Sequence, residues 1–184
     1  MSRVTLPSVG AILFTADQIA EAVRGMATRL ASELPPEPIL LVGVLKGAWF
    51  VTADLARALP PNVDARIDFL AVSSYAGTSS SGDVRLVSDL TEDVSGKHVV
   101  LVEDVVDTGV TLEYLLEHLG RRAPASLRTC ALLDKPHRRS TGVSIDFAGF
   151  TCPDAFIVGY GLDYQEKYRN LPYLAKLDLR VSEV

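Results

Sequence analysis

VVLVEDVVDTGVTL, residues 99–112, sets three carboxylates at the end of a run that should be buried. Val99 to Val102 is continuously apolar, as in strands covered on both faces. Glu103, Asp104 and Asp107 follow, and then Thr108, Gly109, Val110 and Thr111. Ionised side chains are costly to desolvate without a partner. Successive strand residues point to opposite faces, so Glu103 and Asp104 can address one ligand only at or beyond the last pleat. Leu112, Leu115, Leu116 and Leu119 then stripe a helix that stops near Gly120. The backbone N–H groups entering that helix, with Gly109 and two threonine hydroxyls, form a concave donor cluster suited to an anion. Acids beside an anion site are compatible if the ligand also offers hydroxyls or carries Mg²⁺ as a bridge. A sugar phosphate meets both conditions. The plainer reading is a set of solvated turn acids, with Asp107 or Thr108 capping the helix. Three acids and two threonines on one rim weigh against it.

The flanking sequence repeats the same alternation. Thr15 and Gln18 form a capping box for a first helix, with Phe14 placed to staple onto Ile19. Ile19, Val23, Met26 and Leu30 stripe that helix, and Pro35-Pro36 ends it. Ile39 to Leu45 reads as a buried strand, Trp49 to Leu59 as a helix, and Ala65 to Ser73 and Val84 to Asp89 as strands around AGTSSSGD. Leu127 to Leu133 is a further strand, with two more at 144–150 and 155–160. Strands alternating with helices predict an α/β fold: a mainly parallel sheet with helices on both faces. Ligands of such sheets bind beyond the carboxyl ends of the strands. Leu45-Lys46-Gly47, Glu103 to Thr111, and Asp134-Lys135 all fall there and should converge.

Composition narrows the function. The 184 residues are 48% hydrophobic and 22% charged, enough for one domain with a sizeable core. The net charge of −5 offers no overall basic footprint for nucleic acid or an anionic membrane. Neither a secretory n- and h-region nor a bilayer-length apolar stretch is visible. Cys130 and Cys152 lack metal or redox spacing, and His98, His118 and His137 form no ligand pair, so a reducing cytoplasm without zinc is expected. No G-x-x-x-x-G-K-[ST] phosphate loop occurs, and Gly159-Tyr160-Gly161 does not extend to a dinucleotide fingerprint. A receiver domain would need its phospho-accepting acid farther from the acid pair than Asp134.

VLVEDVVDTGVT resembles the phosphoribosyl-pyrophosphate signature of the phosphoribosyltransferases. GVLKGA (43–48), SSY (73–75), LLDKP (132–136) and DAFIVGYGLDYQEKYRNLPY (154–173) make the whole similar to the hypoxanthine-guanine branch. The similarity runs from about Ile39 to Arg169, with Ile157 where a smaller valine is expected. It implies a type I phosphoribosyltransferase fold over residues 1–184, in which the segment from about 145 to 184 forms a hood over the base. It implies transfer of the phosphoribosyl group to N9 of hypoxanthine or guanine, giving IMP or GMP and pyrophosphate, by a homo-oligomer (dimer or tetramer). A nucleotide-sensing RNA-binding regulator with uracil phosphoribosyltransferase-like activity is the alternative on this fold; a basic face would favour it.

Residue roles follow from the resemblance. Thr108, Gly109, Val110 and Thr111 would wrap the 5′-phosphate. Glu103 and Asp104 would hold the ribose hydroxyls and their Mg²⁺, Asp163 a second Mg²⁺, and Asp107 would be the general base at N7. Leu45, Lys46 and Gly47, through a cis Leu45–Lys46 peptide, and Arg169 would bind the pyrophosphate. Lys135 would meet the purine 6-oxo group, Phe156 would stack on the ring, Ile157 would meet its edge through backbone groups, and Asp163 would also border the base. Ser74 and Tyr75 would begin a lid that excludes water. Taken singly, each residue has a plainer reading: Lys46 as a snorkelling lysine, Phe156 as core, Asp163 as a turn acid, Arg169 as a surface cation, and the lid as a hairpin loop.

Overall fold

Ile39–Leu45 (β2) is buried along nearly its whole length, as its unbroken apolar sequence requires of a strand with helices on both faces. In the computed structural model, which describes residues 7–74 and 84–178, this strand sits inside a six-stranded sheet. Before it come Ser8–Phe14 (β1) and Ala16–Glu33 (α1). After it come Trp49–Ala58 (α2), Ala65–Ser74 (β3), Val84–Ser88 (β4), His98–Val106 (β5), Val110–Gly120 (α3) and Ser126–Asp134 (β6). A 3₁₀ turn at Pro136–Arg138 leads to Phe147–Thr151 (β7), Ile157–Val158 (β8) and Leu174–Asp178 (β9). The large sheet has the order β4-β3-β2-β5-β6-β7, parallel except for β4.

The connection β2-α2-β3 steps one way along the sheet and β5-α3-β6 steps the other. Right-handed crossovers then place α2 and α3 on opposite faces, and the order reverses between β2 and β5. That reversal is where an open α/β sheet holds its ligand. Here β2 pairs with β5 only up to Gly43↔Val102, whereas β5 stays paired with β6 to Val106↔Asp134. A crevice opens between β2 and β5 above Val102.

Several elements differ from the sequence expectation. Among the described residues a strand precedes α1: β1 pairs with β9 in a small antiparallel sheet ordered β1-β9-β8, and neither strand is predicted by the apolar pattern. Register shifts between Val9 and Ile12 and between Ile12 and Phe14 break the period-two alternation that would have marked β1. The Thr15/Gln18 capping box is present, while Phe14 stacks on Phe150 at 4.0 Å. The strand expected at 155–160 is only Ile157–Val158, because Gly159 and Tyr160 turn with φ of 102° and 46°. β7 begins at Phe147 rather than at 144. Tyr75 and the segment 76–83, expected to form the lid, lie outside the described residues; Ser74 ends β3. Both cysteines are buried free thiols. Among the described residues no helix is long and apolar enough to cross a membrane.

Candidate active site

β5 runs four residues past the apolar stretch, so Glu103 and Asp104 lie within a strand rather than beyond its last pleat. They consequently face different spaces. Asp104 lines a cavity of about 230 Å³ together with Asp107, Lys135, Phe156, Ile157 and Asp163. Glu103 lines a smaller one of about 90 Å³ with Asp107, Thr108, Gly109 and Thr111. Asp107 borders both. A ligand served by both acids must therefore lie across the strand end.

The smaller cavity is the mouth of α3. Its N-cap is Gly109 at φ 87°, a left-handed conformation that side chains resist. A methyl at that position would also overlap Thr141 Oγ1. The N-cap offers no side-chain hydrogen bond, which removes the reading of Asp107 as a cap; Val110 N–H has only a 3.5 Å contact with Thr108 Oγ1. The turn is buttressed from outside. Ser140 N–H donates to the Thr108 carbonyl at 2.9 Å, and Arg139 Nε donates to the Asp107 carbonyl at 3.3 Å.

In the larger cavity Lys135 is 7% exposed, standing where β6 gives way to the 3₁₀ turn. Its Nζ donates to the Ala155 carbonyl at 2.9 Å and lies 3.5 Å from Asp107 Oδ2. The other oxygen, Oδ1, accepts from Arg138 Nε at 2.8 Å. Phe156 is 44% exposed and meets Tyr164 edge-on at 5.6 Å, so it is not a core residue. Ile157 is buried, its backbone register set by pairing with Lys176 of β9.

The remaining wall is the loop between β2 and α2. Leu45–Lys46 is cis, as the resemblance implies. Gly47 packs so tightly on Asp104 that a Cβ there would overlap its carboxylate, and Gly161 is pressed in turn against the Gly47 carbonyl. Lys46 Nζ reaches Glu166 at 2.9 Å, and the same carboxylate accepts from Arg169 Nη2 at 3.2 Å. Arg169 also donates to the Gly161 carbonyl at 2.7 Å and pairs with Asp163 at 2.8 Å, while its buried Nε has no partner among the described residues. All three expected segments thus meet at one place.

A model of the phosphoribosyl transferase domain matches residues 11–165, most of the chain. The chain belongs to the phosphoribosyltransferase family. It is 46% identical to the hypoxanthine-guanine phosphoribosyltransferase of Mycobacterium avium, over 95% of this chain and 89% of that protein. It is 42% identical to the Bacillus subtilis enzyme of the same name, over 94% and 95%. Among solved structures, a hypoxanthine-guanine phosphoribosyltransferase from Bacillus anthracis, with a HEPES molecule in its active site, superposes with a TM-score of 0.87. That pair shares 40% identity and covers 92% of this chain and 99% of the other. A Trypanosoma cruzi hypoxanthine phosphoribosyltransferase gives 0.87 at 41% identity, covering 96% and 94%.

In this phosphoribosyltransferase the acid pair is electrostatically uneasy. Burial, with Asp104 adjacent, pushes the Glu103 carboxyl well above the usual range. Burial raises Asp104 too, reinforced by Asp163 and opposed by Arg169 and backbone N–H groups. A divalent cation would relieve both acids, and the donors are hard oxygens. Among the described residues no three His, Cys, Asp or Glu groups converge on one point. The described residues therefore form no closed protein cage for a metal.

This has a measurable consequence. Between the ordinary glutamate pKa and the raised folded one, the unfolded chain sheds a proton that the folded protein keeps. Stability therefore falls as pH rises through that window. Glu103→Gln removes the penalty, so the ligand-free variant should melt higher than the parent at pH 7–8, by roughly 2–4 °C per kcal/mol relieved. The gain should vanish near pH 4. Thermal melts across pH decide it, and a lower Tm at pH 8 would refute the argument.

Proposed function

We propose that the protein transfers the phosphoribosyl group of phosphoribosyl pyrophosphate to N9 of hypoxanthine or guanine, releasing pyrophosphate and forming IMP or GMP. The carrying observation is that Asp107, Lys135 and Phe156 share one cavity beside an uncapped helix N-terminus. The relatives named above support the purine assignment, and none of them favours an RNA-binding regulator.

In this reading the N–H groups and hydroxyls of Thr108, Gly109, Val110 and Thr111 hold the 5′-phosphate, assisted by the positive end of α3. The purine stacks on exposed Phe156, its 6-oxo group facing Lys135 and its edge meeting the Ile157 backbone. As N9 bonds to the anomeric carbon and pyrophosphate departs, Asp107 takes the proton at N7. Glu103 and Asp104, on either side of the strand end, favour the oxocarbenium-like charge that develops on the ribose. Leu45, Lys46, Gly47 and Arg169 receive the pyrophosphate. Glu103 and Asp104 would hold one Mg²⁺ and Asp163 a second; when bound, they would neutralise the leaving polyanion. The small sheet that presents Phe156 and Ile157 serves as the hood over the base. Two free thiols fit a cytoplasmic enzyme.

The test is a spectrophotometric assay with phosphoribosyl pyrophosphate, Mg²⁺ and each of hypoxanthine, guanine, xanthine and adenine. Nucleotide formation from hypoxanthine or guanine is expected. Absence of turnover with both would overturn the reading.

A further inference from the structure

The sequence LLDKPHRR separates two cations by three residues, Lys135 and Arg138, across Pro136. Pro136–Arg138 folds as a 3₁₀ turn, closed by Arg138 N–H donating to the Lys135 carbonyl at 3.0 Å. Both cations reach Asp107, one on each oxygen: Lys135 at 3.5 Å from Oδ2 and Arg138 Nε at 2.8 Å from Oδ1. Their surroundings differ. Lys135 is buried and borders the larger cavity, whereas Arg138 is not among the residues lining it. The Arg138 side chain is 44% exposed, and its Nη1 lies 3.5 Å from Asp154 Oδ1.

We propose that Arg138 is a positioning residue: it grips one oxygen of Asp107 from outside the cavity, so that the other is presented to the purine. The inference rests on the reading in which Asp107 accepts the purine proton. An aspartate held only by the long 3.5 Å contact to Lys135 would otherwise rotate among several orientations, and a base must lie within hydrogen-bond reach of the proton it takes. Arg138 is suited to the task because its planar fork can bind Asp107 through Nε while Nη1 turns toward Asp154. An exposed ion pair adds little stability. The consequence belongs in turnover.

Arg138→Gln should lower kcat by about tenfold, with KM for both substrates within about twofold, because orientation rather than binding is lost. Arg138→Lys should recover only part of kcat, since an ammonium keeps the charge but not the fork. Contact is read independently of activity by the Arg138 Nε–H signal in ¹H–¹⁵N spectra of the ligand-free protein, which should shift in Asp107→Asn. Unchanged kcat in Arg138→Gln, or an Nε–H signal indifferent to Asp107→Asn, would overturn the proposal. So would equal damage to kcat, KM and Tm in both Arg138 variants, the mark of a merely structural residue. A wild-type protein that turns over no purine but keeps the Arg138–Asp107 signal would reject the transferase reading and, with it, any role for the grip in catalysis. An active wild type with an indifferent signal would reject this inference alone.

Discussion

Asp107→Asn should cut kcat by about 10²–10⁴-fold while Tm and the KM for phosphoribosyl pyrophosphate stay close to wild type. Asparagine keeps the shape of the side chain and one oxygen acceptor, so the turn into α3 should form as before. That turn is held by the left-handed Gly109 and by its own carbonyls, which accept from Ser140 N–H and Arg139 Nε, and not by the Asp107 carboxylate. What the amide lacks is the ability to take a proton at N7. It also loses the charge that draws Arg138 and Lys135, which should leave Lys135 freer without altering the cavity at the mouth of α3. Steady-state kinetics with hypoxanthine, beside a thermal melt, separate these expectations. A variant with near-wild-type kcat would end the general-base assignment; one that fails to fold would move Asp107 from chemistry to architecture.

Parallel strands buried on both faces were plain in the sequence because their apolar runs are continuous: β2 matches its expected bounds, and β6 exceeds them by one residue at each end. At the acidic end of β5 the apolar run stops at Val102, but the strand does not. Pairing with β6 carries the strand on to Val106, placing Glu103 and Asp104 in different cavities. β1 and β9 were illegible for a different reason. Their pairing joins opposite ends of the chain and is interrupted by irregular register, so no local window holds the signal. At the site, the motif-bearing segments meet as their strand-end positions predict, while the side chains that contact them have no sequence signal. Glu166, bridging Lys46 and Arg169, sits three residues before Arg169 in a loop where Gln165, Glu166 and Tyr168 all take positive φ. Nothing in sequence spacing announces left-handed backbone at residues other than glycine. Phe156 shows the opposite case, a hydrophobic residue whose exposure depends on the short strand that follows it.

Base selectivity should turn on Lys135, with hypoxanthine favoured over adenine by roughly 10⁴–10⁵-fold. An ammonium carries three donors and no acceptor. One donor is committed to the Ala155 carbonyl at 2.9 Å and another is directed toward Asp107 Oδ2 at 3.5 Å, which leaves one for the ligand. Because Lys135 is 7% exposed, that last donor has little water to fall back on once a base fills the cavity. The 6-oxo group of hypoxanthine or guanine accepts it. The 6-amino group of adenine turns N–H groups toward that donor and leaves it without an acceptor. The competing explanation assigns selectivity to backbone groups at Ile157, whose position is fixed by pairing with β9. Lys135→Ala distinguishes the two, since it removes the ammonium and leaves β8 paired. If Lys135 discriminates, the variant should show a raised KM for hypoxanthine and a much smaller gap to adenine. If Ile157 does, the gap should survive. Adenine turnover within about a hundredfold of hypoxanthine in the unmodified protein would contradict the 6-oxopurine assignment itself, because a site built around a buried lysine donor cannot be that tolerant of a second donor.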